Sequence, residues 1–166
     1  MATAAARRSA TSERAALASA SVGFLAHNFP PARVFLGDAG SVPLGFLAGA
    51  LGLHGALTQT WSIAFPILAF SPFIADASVT LARRVIRGDA FWRAHRTHYY
   101  QRLVLAGWSR RRLAIAAYAL MLGAAASALA SRSLGPQGQL AIIGGWVVLY
   151  AALFIAIERR VRQAAN

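Results

Sequence analysis

Two stretches of this 166-residue chain hold the residues that could do chemistry. The first, NFPPARVFLGDAGS at 28–41, sets Asp38 between apolar segments. Pro30 and Pro31 stop any helix arriving from upstream, because proline lacks an N–H and pushes the preceding residue out of the helical region. Gly37 and Gly40 allow left-handed backbone or close approach. Ser41 is a good N-cap for the next helix, with Val42 and Pro43 in its first turn. Asp38 then has two readings. It is an ordinary turn residue, or a hard oxygen ligand for Mg²⁺ beside a helix N-terminus whose free N–H groups favour phosphate. Mg²⁺ keeps several waters and takes one or two carboxylates plus substrate phosphates, so a single Asp is part of a site only.

The second stretch is RRVIRGDAFWRAHRTHYYQRL at 83–103. If 91–103 is helical, His95 and His98 share a face and Arg102 follows one turn on. Zinc needs a third or fourth ligand, and Arg93, Arg96 and Arg102 repel a dication. An anion suits the segment better, since Arg forks grip phosphate and His adds N–H donors. Two anions remain open: a substrate phosphate, or bilayer headgroups at about 1 kcal/mol per Arg near the surface. Asp76, in an apolar run, calls for a partner or a cavity. Arg83, two turns on, is one partner; a supporting role in the site is the other reading.

The elements that position these residues are membrane helices. The chain is 57% hydrophobic and 13% charged, with mean hydropathy +0.50, more apolar than the roughly 45–50% usual for soluble domains. The fold class expected is an all-α polytopic transmembrane bundle in the lipid bilayer. It has about four full spans, near 42–58, 61–82, 113–131 and 138–157, after a short apolar helix at 15–27. That first helix, at roughly 20 Å, is too short for a crossing. All 17 basic residues are Arg and the net charge is +12; nine of them fall within 83–112 and three follow the last apolar run. Such placement follows the positive-inside rule rather than a nucleic-acid footprint, so nucleic acid is excluded as a partner. Four crossings return 28–41, 83–112 and the tail to the cytoplasmic side. With no Lys there is no P-loop, and with no Cys no thiolate chemistry.

Taken together and in this order, the stretches resemble the polyprenyl-phosphate N-acetylhexosamine-1-phosphate transferases. This is the MraY/WecA-type membrane family also called glycosyltransferase family 4, with its O-antigen-initiating, WbpL-like branch. NFPPARVFLGDAGSVPLGF is similar to the family's cytoplasmic loop ending in G-D-x-G-S. DASVTLARRVIRG is similar to its D-[ATS]-x-x-T-L-x-R-R helix end, and HRTHYYQRL to its basic His motif. The resemblance covers roughly 15–160. It implies an integral enzyme of the bacterial inner membrane with cytoplasmic active-site loops. That enzyme moves a sugar-1-phosphate from a UDP-sugar to polyprenyl phosphate, releasing UMP, with Mg²⁺ as cofactor. By the same resemblance Asp38 is the Mg²⁺ ligand and catalytic residue. His95, Arg96, His98 and Arg102 serve the nucleotide or phosphates, with Asn28 and Asp76 in support.

The departures are equally informative. The family's N-terminal half carries a paired-Asp motif, whereas the only carboxylate side chains here are Glu13, Asp38, Asp76, Asp89 and Glu158, no two adjacent. The expectation is a basic tail at 1–14, outside the family pattern, followed by the C-terminal half of a transferase domain at 15–166. Such a chain turns over little unless a missing N-terminal half or dimer partner completes it. The alternative is a noncatalytic membrane protein that binds anionic lipid or a partner through its Arg-rich loop. A transporter bundle is disfavoured, because Asp76 is the only acidic residue well inside a span.

Overall fold

A computed structural model describes residues 4–88 and 99–165. Among them are seven helices: α1 Ala4–Asn28, α2 Gly37–Leu57, α3 Ala64–Ala69, α4 Ser71–Ile86, α5 Tyr99–Leu105, α6 Arg110–Ser131 and α7 Pro136–Ala165. The chain falls into two compact units, Met1–Ser41 and Val42–Asn166.

In the first unit α1 is 25 residues long and takes in most of the expected tail. Ala, Arg and Glu, strong helix formers, fill its first half, so the helix starts well before the apolar run. It ends at Asn28, before a cis Pro30–Pro31 peptide. The following loop folds back on the helix end. The His27 carbonyl accepts from the Arg33 and Val34 amides at 2.9 and 3.4 Å, and Asn28 Nδ2 donates to the Val34 carbonyl at 2.8 Å. The next helix does not wait for Ser41. It begins at Gly37, whose φ of 61° suits glycine, and carries Asp38 in its first turn. A carboxylate there complements the positive end of the helix dipole, which favours the earlier start. Pro43 consequently lies inside α2 rather than in its first turn, so it offers no N–H to the Ala39 carbonyl.

Three described helices are long and apolar enough to cross a membrane: Gly37–Leu57, Arg110–Ser131 and Pro136–Gln163. The expected span at 61–82 is instead two helices, α3 and α4, separated at Phe70. Pro72 is the cause. It has no N–H for the Leu68 carbonyl four residues back, and its ring crowds a continuing helix. Ser71 repairs the loss: its hydroxyl donates to the Leu68 carbonyl at 2.7 Å. That uses the only Ser71 proton, so in the buried 2.7 Å contact between Ser71 Oγ and Tyr150 Oη the tyrosine is the donor. The break therefore leaves no orphan polar group at the middle of α7.

Small residues let these helices close up. α3 packs on α6, where Ala124 and Ala128 are fully buried, and buries its own Ala64 and Leu68. At the α2–α3 turn the Trp61 ring lies against Gly55 so closely that any Cβ there would overlap it, while Trp61 Nε1 donates to the Gly52 carbonyl at 3.1 Å.

Two polar links fix the run of α3–α4 beside α7. Ser62 Oγ, just before α3, donates to Gln139 Oε1 at 2.9 Å. Arg83, near the end of α4, is ion-paired with Glu158. Gln139 and Glu158 are 19 positions apart on one helix, roughly 29 Å at 1.5 Å per residue. Though broken, α3–α4 runs that length.

Candidate functional site

In the first unit the sequence-derived candidates are Asn28 and Asp38. Asn28 holds the loop shape through Val34, as described above. Asp38 is exposed, and among the described residues no side chain bonds to its carboxylate. No group of three His, Cys, Asp or Glu that could hold a metal exists among the described residues. A solvent-facing carboxylate with no side-chain partner among the described residues still fits Mg²⁺ of the kind that takes one or two carboxylates and completes its shell with waters and substrate phosphates.

In the second unit α4, α5 and α7 converge on a polar cluster. Glu158, on α7, is its centre. It receives Arg83 from α4 in a forked pair, with Arg83 Nη1 on Oε2 and Nη2 on Oε1, the latter at 3.2 Å. Arg102 Nη1 from α5 also donates to Oε2, at 2.7 Å. Arg162 approaches Oε1 from one turn on, at 3.7 Å. One carboxylate thus faces three guanidinium groups. Tyr99, the first residue of α5, is buried between two of them, its ring centroid 5.4 Å from Arg83 Cζ and 5.3 Å from Arg102 Cζ. The face of an aromatic ring is electron-rich and tolerates this company. Its hydroxyl accepts from Arg83, and its ring packs on Phe154 with centroids 4.4 Å apart.

Asp76 sits on the same cluster. Its Oδ1 accepts the Tyr99 amide at 3.0 Å and, weakly, the Thr80 hydroxyl at 3.5 Å. It therefore ties the Tyr99 end of α5 to a neighbouring helix. Arg83, read from sequence as a partner for Asp76, turns to Glu158 instead. Glu158 lies on the adjoining helix, whereas Asp76 is two turns back on Arg83's own. His95, Arg96 and His98 lie outside the described residues. Arg102 is half-buried and paired, yet a guanidinium has five N–H donors and this pair uses one. The cluster keeps excess positive charge, which suits it to hold anions.

Sequence reasoning gave Glu158 no role. The signal was present: it is one of five acidic residues in a chain of 17 arginines, at the junction of an apolar helix and an Arg-rich end. Such a carboxylate has no shortage of partners, though only the fold shows which arginines reach it.

The family model described as "Glycosyl transferase family 4" matches residues 1–56, the stretch that contains Asn28 and Asp38. The chain is 31% identical over 154 residues to the decaprenyl-phosphate N-acetylglucosaminephosphotransferase of Mycolicibacterium smegmatis, covering 85% of this chain and 38% of that protein. It is 33% identical over 100 residues to a probable undecaprenyl-phosphate N-acetylglucosaminyl 1-phosphate transferase of Bacillus subtilis, covering 58% and 28%. With the phospho-N-acetylmuramoyl-pentapeptide-transferase of Moorella thermoacetica it shares 35% over 109 residues, covering 64% and 32%. The chain thus spans less than two-fifths of the length of each of these relatives. No solved structure matches it.

Proposed function

Because this chain belongs to glycosyl transferase family 4, we propose that it forms the Asp38- and arginine-bearing part of an enzyme that transfers a sugar-1-phosphate from a UDP-N-acetylhexosamine to polyprenyl phosphate. UMP is released, and the product is a lipid-linked precursor of a cell-envelope polysaccharide. The observation that carries this reading is the likeness to the mycobacterial enzyme. An alignment over 85% of the chain cannot avoid the interval from Asp38 to Arg102, so it takes in both chemistry-bearing stretches.

In this reading Asp38 holds Mg²⁺, its exposed carboxylate serving as the protein's oxygen ligand. When bound, the ion supplies positive charge against the oxygens of the transferring phosphoryl group. His95, Arg96 and His98 bind the nucleotide phosphates as N–H donors. Arg102 adds the donors left over from its pair with Glu158. Asp76 supports them by fixing the start of α5, and Asn28 supports Asp38 by shaping the loop that leads to it. The five acidic residues include no adjacent pair, so a second carboxylate-bearing segment, a missing N-terminal half or a dimer partner, completes the chemistry.

α2, α3–α4, α6 and α7 make four crossings of the bacterial inner membrane, with the Arg-rich segment cytoplasmic. The Ser62–Gln139 and Arg83–Glu158 links support α3–α4 as the second crossing, since they tie its two ends to points on α7 about one hydrocarbon thickness apart.

The test is UDP-N-acetylglucosamine binding by the full chain in lipid nanodiscs, with and without Mg²⁺. Binding is expected only with Mg²⁺, and Asp38→Asn weakens it by about tenfold or more, the loss of one charge-assisted contact. Affinity that ignores both Mg²⁺ and Asp38 sinks the reading. If instead membrane association alone responds to Arg102→Ala while nucleotide has no effect, the Arg-rich segment serves anionic lipid.

A further inference from the structure

We infer that the cleft where α2 gives way to α3 and α6 turns into α7 binds a phospholipid headgroup. Arg132 takes the phosphodiester, and hydroxyl and amide oxygens around it take the donor-bearing group beyond the phosphate. The cleft lies at the Gln139 end of α7, roughly 29 Å from Glu158, and so apart from the proposed transferase site. Its volume is about 540 Å³, within the roughly 300–1,000 Å³ usual for small-ligand sites. Arg132 is exposed in its lining, and among the described residues no ion pair or hydrogen bond engages its guanidinium. No carboxylate lines the cleft, which leaves this cation for an anion from outside.

The protons around Arg132 are already spent. Thr58 gives its hydroxyl proton to the His54 carbonyl at 2.9 Å, so in its 3.0 Å contact with Thr60 the latter is the donor. Ser62 donates to Gln139 and Ser133 to the Ala130 carbonyl, while the Gln139 amide group donates to the Ser131 and Leu134 carbonyls. What remains is one guanidinium fork among the oxygen lone pairs of Thr60, Ser62, Ser133 and Gln59. A bare phosphate would use the fork and be repelled by the lone pairs. A phosphodiester with its own hydroxyl or ammonium donors satisfies both. The apolar surround favours a lipid as its carrier: Trp61 and Leu129 complete the lining, and Leu57, Ile63 and Leu129 are exposed at this end of the helices. Headgroups meet acyl chains at that depth.

Gln59 carries a second mark of use. Its φ of 56° is the only positive value outside glycine among the described residues. The Thr60 and Gln59 amides return to the Gly55 and Ala56 carbonyls at 2.8 and 3.2 Å, a helix ending whose left-handed position usually holds glycine. Any side chain there strains the backbone, and this one lines the cleft.

The experiment uses the full chain with Gln137→Cys as its sole thiol, an exposed position in the first turn of α7 outside the lining. A bimane label there reports titration in maltoside detergent with dioctanoyl phosphatidylethanolamine, phosphatidylglycerol or phosphatidylcholine, and with glycerol 3-phosphate. Saturable binding of the first two is expected. Phosphatidylcholine, whose ammonium has no N–H, and glycerol 3-phosphate, which has no acyl chains, should each bind at least about tenfold more weakly. Arg132→Gln should weaken phosphatidylethanolamine by about tenfold or more. Gln59→Gly should weaken it by about threefold or more yet leave the unfolding midpoint equal or higher, because glycine suits that φ. Equal affinity for the choline lipid overturns recognition of the donors, and equal affinity for glycerol 3-phosphate overturns the lipid as occupant. Unchanged affinity in Arg132→Gln overturns the site. A Gln59→Gly variant that binds like wild type, or that melts earlier, overturns the part given to Gln59. None of these outcomes involves UMP or Mg²⁺, so the transferase reading stands or falls separately.

Discussion

Single side chains in this molecule do their work by satisfying one another, and Ser71 is the clearest case. Its hydroxyl covers the Leu68 carbonyl that Pro72 leaves without a donor, and it accepts in turn from Tyr150. The two partners should therefore respond unequally. Tyr150→Phe removes one donor whose acceptor still has a role, a loss of about 1 kcal/mol. Ser71→Ala strands a carbonyl and a phenol together in a buried place, and should cost about 1–3 kcal/mol. Unfolding midpoints in mixed detergent check the order; a Tyr150→Phe variant as damaged as Ser71→Ala would show that the tyrosine, not the serine, carries the junction. At this scale the sequence was partly legible. Asp38 announced itself through its Pro and Gly neighbours, and Asp76 through its apolar surroundings. Glu158 did not, because a carboxylate beside three arginines in sequence says nothing about arginines 56 and 75 positions away.

Helices and their junctions were legible where periodicity or proline decided them. The apolar runs of α2, α6 and α7 gave spans near their observed bounds. The errors fell at boundaries, where local rules compete. Ser41 is the expected N-cap of α2, yet the helix starts at Gly37, where Asp38 complements the helix dipole. Pro72 falls within the expected 61–82 span, and its missing N–H divides α3 from α4. Glycines on α2 test the packing logic directly. Gly55→Ala would drive a methyl group into Trp61 and loosen its bond to Gly52, which should cost about 1–3 kcal/mol. Gly45→Ala meets nothing within 4 Å and removes glycine's helix penalty, so it should be neutral or stabilising by up to about 1 kcal/mol. Opposite shifts in the unfolding midpoint are the expected result. A destabilising Gly45→Ala would reveal a close neighbour on that face of α2.

At the scale of the whole molecule the decisive quantity is the parity of its crossings. Three described helices qualify as spans by length and composition, and three crossings by those helices alone would put Ser62 and Gln139 on opposite faces. Their side chains are hydrogen-bonded, which supports the proposed four crossings, with α3–α4 carrying the chain back across between α2 and α6. The Arg83–Glu158 pair supports the same proposed parity at the far end. The sequence contains no Cys, so one introduced thiol reports its own side of the membrane. Two exposed serines flank α6 outside the polar cluster: Ser109, at its N-cap, and Ser133, just after its end. With four crossings and a cytoplasmic Arg-rich segment, Ser133→Cys should react with a membrane-impermeant maleimide in intact spheroplasts, and Ser109→Cys only after lysis. The reverse pattern would mean that α3–α4 does not cross. The chain entering α5 and the Arg-rich end of α7 would then face away from the cytoplasm, where no UDP-sugar could reach them.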